Sequence, residues 1–502
     1  MKKKLTPVLA LILLAILLLP LCVLGEEEKA ADAAPLPKDN LVETTHSVTI
    51  KGTPLEYTAT TGTICMHNDL GDYEVFFTAY NVEAPDDASP RPITFIFNGG
   101  PGSSSVWLHM GLFSPRKVAL DADGMVVSVP TVTRENEYSL LDITDLVFID
   151  PVGTGYSRAL PGTEENTFYS LEGDCVSVSD FIRLYISRYN RWASPKYLAG
   201  ESFGTARAIY VCDYLQSCYH IALNGIILIS CANDYSALQF SGSNDLPYAS
   251  FVPSYAAAAW YHHRLNETYQ NMSLDDFLSE VRKFTAEEYQ PALYKGTSMT
   301  QDETRAVAAR LAAYIGLKEE DILDKNLRIQ LNDFTTLLLK DEGKVIGRYD
   351  SRYTGSMMTG NAGTYSDPSD NGVGEAFASA FNDYLARSLE YTTDRFYETL
   401  SNDVNYKWQF GLDNQIFCQE DTIHDCLAKN DFLKIWVVSG QYDLATPFFA
   451  TEWVYNHLFL NESQQSRLSF TYYPSGHMFY NHEPSMIQFR EHAESWYGAA
   501  SK

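Results

Sequence analysis

A serine hydroxyl attacks a carbonyl only when a neighbouring base removes its proton and an acid orients that base. Ser202 lies in Gly200-Glu201-Ser202-Phe203-Gly204, a G-x-S-x-G between a run that reads as a strand and a stretch that reads as a helix. In that context a sharp turn lifts the hydroxyl clear of the sheet edge, and small flanking residues let strand and helix approach. Five-residue patterns recur by chance, so the serine needs partners. Asp443, in Ser439-Gly440-Gln441-Tyr442-Asp443, and His477, in Pro474-Ser475-Gly476-His477, each follow a predicted strand. Serine, then acid, then histidine is an order this chemistry takes along a parallel α/β sheet. Alone, each of the last two would read as a cap or turn residue; three groups in order and context point to acyl transfer. Such a reaction also needs donors for its oxyanion. Asn98-Gly99-Gly100-Pro101-Gly102 follows an early strand, and its glycines let backbone N–H groups approach a substrate.

Holding these loops at one edge takes a parallel sheet. Short apolar runs ending in Gly, Asp or a turn occur at 93–97 ahead of NGGPG, 146–149 ahead of DPVGTG, 197–199 ahead of GESFG, and 226–229. Such runs read as strands buried on both faces. Residues 47–51, 55–61 and 73–79 read as earlier strands separated by turn residues. Helical stretches at 175–188 and 205–215 alternate with the runs. That alternation predicts an α/β sheet with its ligand crevice at the carboxyl ends of the strands. From about residue 232 the texture turns helical, at 254–261, 274–284, 302–315 and 375–389, with a Gly/Ser/Asp-rich loop over 354–374. Strand texture returns at 433–438 and 468–473, each followed by a helix, near 447–458 and 484–496. The expected organisation is one α/β core (45–231 and 409–502) interrupted by a helical insertion over 232–408; two separate domains are the alternative.

A chain of 502 residues accommodates such a domain. Its 45% hydrophobic and 20% charged residues describe a globular protein rather than a disordered one. Thirty-seven Lys+Arg against 64 Asp+Glu leave a formal charge of −27. That charge, without a basic patch, argues against a nucleic-acid partner; solubility is its plain reading. Lys2, Lys3 and Lys4, the apolar run 8–19 and Val23-Leu24-Gly25 ahead of Glu26 have the layout of a secretory signal peptide over 1–25. An acidic tether over 26–44 follows. The run is short for a span of about 20 residues, so cleavage and a periplasmic or extracellular location are expected over an anchor. Loss of Cys22 leaves Cys65, Cys175, Cys212, Cys218, Cys231, Cys418 and Cys426. Cys212/Cys218 and Cys418/Cys426 are near enough in sequence to consider as disulfides. No spacing fits a zinc site, so no metal is expected. His262-His263 reads as surface, and Glu319-Glu320-Asp321 as a solvated helix start.

The blocks FNGGPGSSS, FIDPVGTGYS, GESFGT, SGQYDLATP and SGHM, in this order from about residue 75 onward, resemble the serine carboxypeptidase family. GRYDSRYTG and FNDYL, in the insertion, resemble its bacterial branch. The resemblance implies an α/β-hydrolase fold with a mostly parallel central sheet and a helical cap. It implies release of C-terminal residues from peptides through an acyl-enzyme, without a cofactor. Ser202 is the implied nucleophile, His477 the general base and acid, and Asp443 the group that orients it. The N–H groups of Gly100 and Phe203 are the implied oxyanion hole. Asn98, the Gly99 N–H and Glu201 are implied to hold the substrate's terminal carboxylate. A carboxylic acid hydrogen-bonds a carboxylate only when one of the two is protonated, so Glu201 implies best binding at acidic pH; a helix-start acid is its other reading. Met478, beside His477, lines the leaving-residue pocket or serves packing. Three positions depart from the family pattern: Ser103 stands where a cysteine is frequent, Leu112 where many members carry a second glutamate, and Phe479-Tyr480 where Val-Pro commonly follows GHM. The competing functions are an esterase or acyltransferase on the same fold, and a non-catalytic binding protein. A neutral ester has no use for Glu201 and Asn98, and a binding protein usually loses a triad member. The expected partners are peptides with a free C-terminus, and neither nucleic acid nor a membrane.

Overall fold

The computed structural model describes residues 37–83, 85, 89–357, 367–371, 373–411 and 415–500. The segment read as a signal peptide, most of the expected tether and the middle of the 354–374 loop lie outside the described residues. From Lys38 onward the described residues form one compact unit.

Its spine is a sheet built from β1 (Asn40–Ile50), β2 (Thr53–Asn68), β3 (Gly71–Asn81), β4 (Ile93–Phe97), β5 (Asp145–Ile149), β6 (Lys196–Glu201), β7 (Gly225–Ile229), β8 (Lys434–Gly440) and β9 (Leu468–Tyr473). In space they run β1-β2-β3-β5-β4-β6-β7-β8-β9. β1 to β3 form an antiparallel meander that joins β5 antiparallel. From β5 to β9 every pairing is parallel. The meander strands extend well beyond the expected 47–51 and 55–61: β1 takes in residues 40–44 of the expected tether by pairing with β2 from Asn40 onward, and β2 continues along β3 to Asn68, burying Ile64 and Met66.

The parallel strands are continuous apolar runs because both of their faces are covered. Along β4, Phe95 and Phe97 join a core with Ile182, Ile209 and Val437. Ile96, between them, joins the opposite core with Trp436, Phe489 and Tyr497. Each such side chain contributes about 1.5–3 kcal/mol when fully buried. The first face is covered by α1 (Leu171–Arg188) and α2 (Phe203–Cys218). α1 starts before the expected residue 175 because the Ser170 side chain caps it, accepting from Gly173 N at 3.1 Å.

Between β7 and β8 lie α3 (Val252–Tyr261), α4 (Leu274–Phe284), α5 (Gln301–Ile315), α6 (Val373–Arg387) and α7 (Glu420–Lys429). α3 to α5 bury Tyr255, Phe277, Leu311 and Tyr314 in a core of their own, which also takes in Tyr442, Leu444 and Phe448. α5 begins with a reciprocal capping pair, Thr300 and Glu303, and ends at Gly316 with φ 68°. α6 instead sends Phe377, Phe381 and Tyr384 into the sheet's second core. α8 (Phe448–Asn456) and α9 (Glu483–Ala500) follow β8 and β9.

The described cysteines are free. Cys212 is buried and Cys218 exposed, as are Cys426 and Cys418 respectively, so neither sequence-adjacent pair is bridged. His262 is not the surface residue expected: it is half-buried, and its Nε2 lies 2.7 Å from the Ser351 carbonyl. Among the described residues no three His, Cys, Asp or Glu side chains cluster as a metal site, and no helix is long and apolar enough to cross a membrane.

Candidate active site

β6 ends at Glu201, α2 begins at Phe203, and Ser202 is the single residue between them, at φ 58° and ψ −130°. A non-glycine residue in that region costs about 1–3 kcal/mol. Close packing enforces it. A Cβ on Gly200 would come within 2.2 Å of the Gly204 carbonyl, and one on Gly204 within 2.8 Å of the Asn98 carbonyl. The turn is pinned by Ser202 N–H, which donates to Ile229 of β7 at 2.9 Å. The Ser202 carbonyl accepts from Thr205 N at 2.9 Å and Thr205 Oγ1 at 2.7 Å.

The loops after β8 and β9 meet beside this turn. His477 Nδ1 lies 2.8 Å from Asp443 Oδ2. Asp443 has no solvent exposure, and it also accepts from Ala445 N at 2.7 Å, Thr446 N at 3.0 Å and Thr446 Oγ1 at 2.8 Å. With Nδ1–H donating to the carboxylate, Nε2 keeps its lone pair. Burial alone would lower the His477 pKa; the Asp443 carboxylate, and then Glu201, outweigh it and hold the pKa above the usual value.

The NGGPG loop follows β4. Among the described residues the N–H groups of Gly99, Gly100 and Phe203 donate to no protein acceptor. Gly100 is exposed. Gly99 and Phe203 adjoin so closely that a Cβ on Gly99 would sit 2.4 Å from Phe203 N. Beneath the loop, Arg207 of α2 is 1% exposed. Its Nε donates to Asp174 of α1 at 2.6 Å, and its Nη1 donates to the Asn98 carbonyl. The residue that starts the loop is thus tied to the helix that the serine starts.

Glu201 is 1% exposed. Asn98 Nδ2 and the Tyr480 hydroxyl both donate to its Oε2 at 2.8 Å. Burial pushes its pKa up to about 7, with His477, Tyr480 and Asn98 holding it below a higher value. The other reading of Glu201, a helix-start acid, is not what the contacts describe: its carboxyl turns back toward Asn98 and Tyr480. On the far side of the turn, the Phe203 ring packs on Trp408, Phe410 and Phe417. Phe410 and Phe417 line a cleft of about 470 Å³ with Tyr235, Gln239 and Ile416.

Sequence reasoning named Ser202, Asp443 and His477 on their post-strand turns and loops and missed the contacts that hold those loops in place. Three buried carboxylates perform that task. Asp174 holds Arg207. Asp150, in FIDPVGTGYS, accepts from Ser105 N and Oγ at 2.8 and 2.7 Å and from the Tyr397 hydroxyl at 2.8 Å, anchoring the segment after NGGPG. Asp350, in GRYDSRYTG, pairs with Arg352 at 2.6 Å and accepts from Gly476 N at 3.0 Å. Around it, Arg352 Nη2 donates to Ser475 Oγ at 3.1 Å, His477 N–H to the Tyr349 carbonyl at 2.6 Å, and Leu444 N–H to the Arg348 carbonyl at 3.0 Å. The GRYDSR segment therefore bonds to both the His477 and the Asp443 loops. In the sequence GRYDSRYTG stood out as a block of family resemblance, with no role attached to its residues.

A parallel sheet, a serine on a strained strand–helix turn and a histidine–carboxylate pair on later post-strand loops define an α/β hydrolase. Within that class the chain belongs to the serine carboxypeptidase family, whose model matches residues 53–478. The crystal structure of Kex1(Δ)p, a prohormone-processing carboxypeptidase from Saccharomyces cerevisiae, shares the fold with a TM-score of 0.55 at 17% identity, over 86% of this chain and 89% of that one. In sequence the chain is similar to the pheromone-processing carboxypeptidase KEX1 of Phytophthora infestans, with 26% identity over 153 residues. It is also similar to serine carboxypeptidase-like 29 of Arabidopsis thaliana, with 31% identity over 132 residues. These stretches cover 30% and 24% of this chain, and 22% and 24% of the two relatives.

Proposed function

We propose that the protein is a serine carboxypeptidase that removes the last residue from peptides through an acyl-enzyme on Ser202. Its Oγ attacks the final peptide carbonyl while His477 Nε2 takes the proton, and Asp443 keeps Nδ1–H directed inward. The oxyanion forms against the N–H groups of Gly100 and Phe203. His477 then returns the proton to the departing amino acid, and water repeats the cycle on the ester. The cleft near Phe203, lined by Tyr235, Phe410 and Phe417 together with Gln239 and Gln409, is the proposed seat of a substrate side chain. The 232–408 insertion is proposed as the cap, walling the site and favouring chain ends.

One observation carries this reading over a general esterase: a fully buried carboxyl, Glu201, adjoins the nucleophile and is held by Asn98. Its pKa of about 7 keeps it protonated in acid, when it can donate to a substrate carboxylate. Export through cleavage of residues 1–25 is part of the proposal and rests on the layout of that segment. Placement in a bacterial branch rests on GRYDSRYTG and FNDYL.

The test compares an N-blocked dipeptide with its C-terminal amide, from about pH 4 to 8, for the protein and for Ser202→Ala. Serine-dependent release that prefers the free acid, and fades as Glu201 ionises, is the expected result. Turnover of simple esters without release from the free-acid dipeptide would overturn it in favour of an esterase or acyltransferase.

A further inference from the structure

The two oxygens of Glu201 have unequal surroundings. Both nearby donors, Asn98 Nδ2 and the Tyr480 hydroxyl, converge on Oε2, each at 2.8 Å, while among the described residues no donor reaches Oε1. An oxygen that already accepts two hydrogen bonds has little room for a proton of its own. Tyr480 keeps its proton, because burial and the adjacent Glu201 raise its pKa well above 10, and among the described residues Glu201 Oε2 is the acceptor that proton reaches. Its placement is built in. Tyr480 is fully enclosed, and its ring lies against Gly111, where a Cβ would come within 2.4 Å of Tyr480 Cε2. The residue after Gly111, Leu112, is apolar and buried, and offers Glu201 no charge. The titratable groups that act on Glu201 are His477, Tyr480 and Asp443; the NGGPG loop and β7 present the neutral Asn98 and Ile229.

We propose that Tyr480 is a positioning residue for recognition of the substrate's terminal carboxylate. With Asn98 it occupies Oε2 of Glu201, so that the proton of the neutral acid sits on Oε1 and is presented to the incoming carboxylate. This rests on the carboxypeptidase reading of the site and adds a residue and a proton position to it.

Tyr480→Phe keeps the ring against Gly111 and removes only the donor. On an N-blocked dipeptide with a free C-terminus, KM rises about tenfold while kcat stays within about twofold, the effect of one lost hydrogen bond to a group that becomes charged. Tyr480 favours the ionised form of Glu201, so its removal moves the falling limb of kcat/KM to higher pH. Hydrolysis of the matching ester or amide, which carries no carboxylate, falls much less than hydrolysis of the free acid. Asn98→Ala, which removes the other donor to Oε2, moves the same limb in the same direction. In a Glu201→Gln background, which has no such limb, adding Tyr480→Phe shifts nothing further. A Tyr480→Phe variant with wild-type KM and pH limb on the free acid overturns the assignment. So does an equal loss on free acid and ester, which would mark a packing role. A wild-type protein that does not distinguish free acid from amide overturns the carboxypeptidase reading itself, and the assignment with it.

Discussion

At the scale of single residues, the fold sets which protonation states the buried groups of the site hold. Glu201 illustrates the sign. Its folded pKa, about 7, lies above the ordinary 4.5, so the native state holds a proton that the unfolded chain has already released. Stability from this group is therefore intact below about pH 4.5, falls as pH rises, and levels off above about pH 7. The loss is on the order of 3 kcal/mol. His477 acts in the same direction: its raised pKa adds stability that is present below about 6.5 and is lost as pH rises through the folded value. Glu201→Gln removes the first dependence. Its melting temperature should exceed that of the wild type at pH 8, and the advantage should shrink toward pH 5, while discrimination for free-acid substrates is lost. A difference in melting temperature that is flat with pH would show that Glu201 is not held neutral by burial.

At the scale of elements, the groups proposed to react come from loops after β4, β6, β8 and β9, and each loop is fixed by a part distant in sequence. Arg207 of α2 ties the NGGPG loop to Asp174 of α1. The GRYDSR segment ties the loops after β8 and β9 to each other. Side chains of Arg352 and Asp350 are only 8% and 11% exposed. Arg352→Met leaves the Asp350 carboxylate buried without its partner, a loss of up to about 3–5 kcal/mol. Because Asp350 also holds Gly476 N, His477 should shift and kcat should fall on the order of 100-fold. Pairing Arg352→Met with Asp350→Asn should recover part of the stability without restoring kcat. Denaturant melts and steady-state rates separate the two effects. On the elbow itself, Gly200→Ala must push strand from helix to relieve a 2.2 Å approach to the Gly204 carbonyl. It should lose at least about 2 kcal/mol and slow labelling of Ser202 by a fluorophosphonate, read by unfolding curves and labelling rates.

At the scale of the whole molecule, a formal charge of −27 surrounds a site proposed to receive an anionic chain end. That field slows the approach of acidic peptides and favours basic ones, and salt screens it over roughly 10 Å at 0.1 M. Raising ionic strength should therefore raise kcat/KM for acidic peptides and lower it for basic ones, with kcat nearly constant. Equal salt responses for the two classes would show that the field at the site mouth is local and differs from the net charge.

Much of the fold was legible because it rests on local rules. Runs such as 93–97 and 226–229 are apolar at every position because both faces of the parallel sheet are covered, and the pattern announces that arrangement before any contact is known. Ser202 was legible for a similar reason: a strand–helix turn this tight accepts only small neighbours, and GESFG records them. Asp443 and His477 were legible by their place after strands. What the chain did not announce was who holds whom. Arg207 reads as one more helical arginine, and Tyr480 as one more aromatic after a histidine. Their work depends on partners more than 100 residues away: Asn98 for Arg207, and Glu201 for Tyr480. The near-neutral pKa of Glu201 arises from burial by several elements at once, which no local pattern encodes. Residue types and their spacing determined the candidate chemistry and the layers of the sheet; only the tertiary structure decided the protonation and aim of the groups, because both arise from long-range contacts and the exclusion of water.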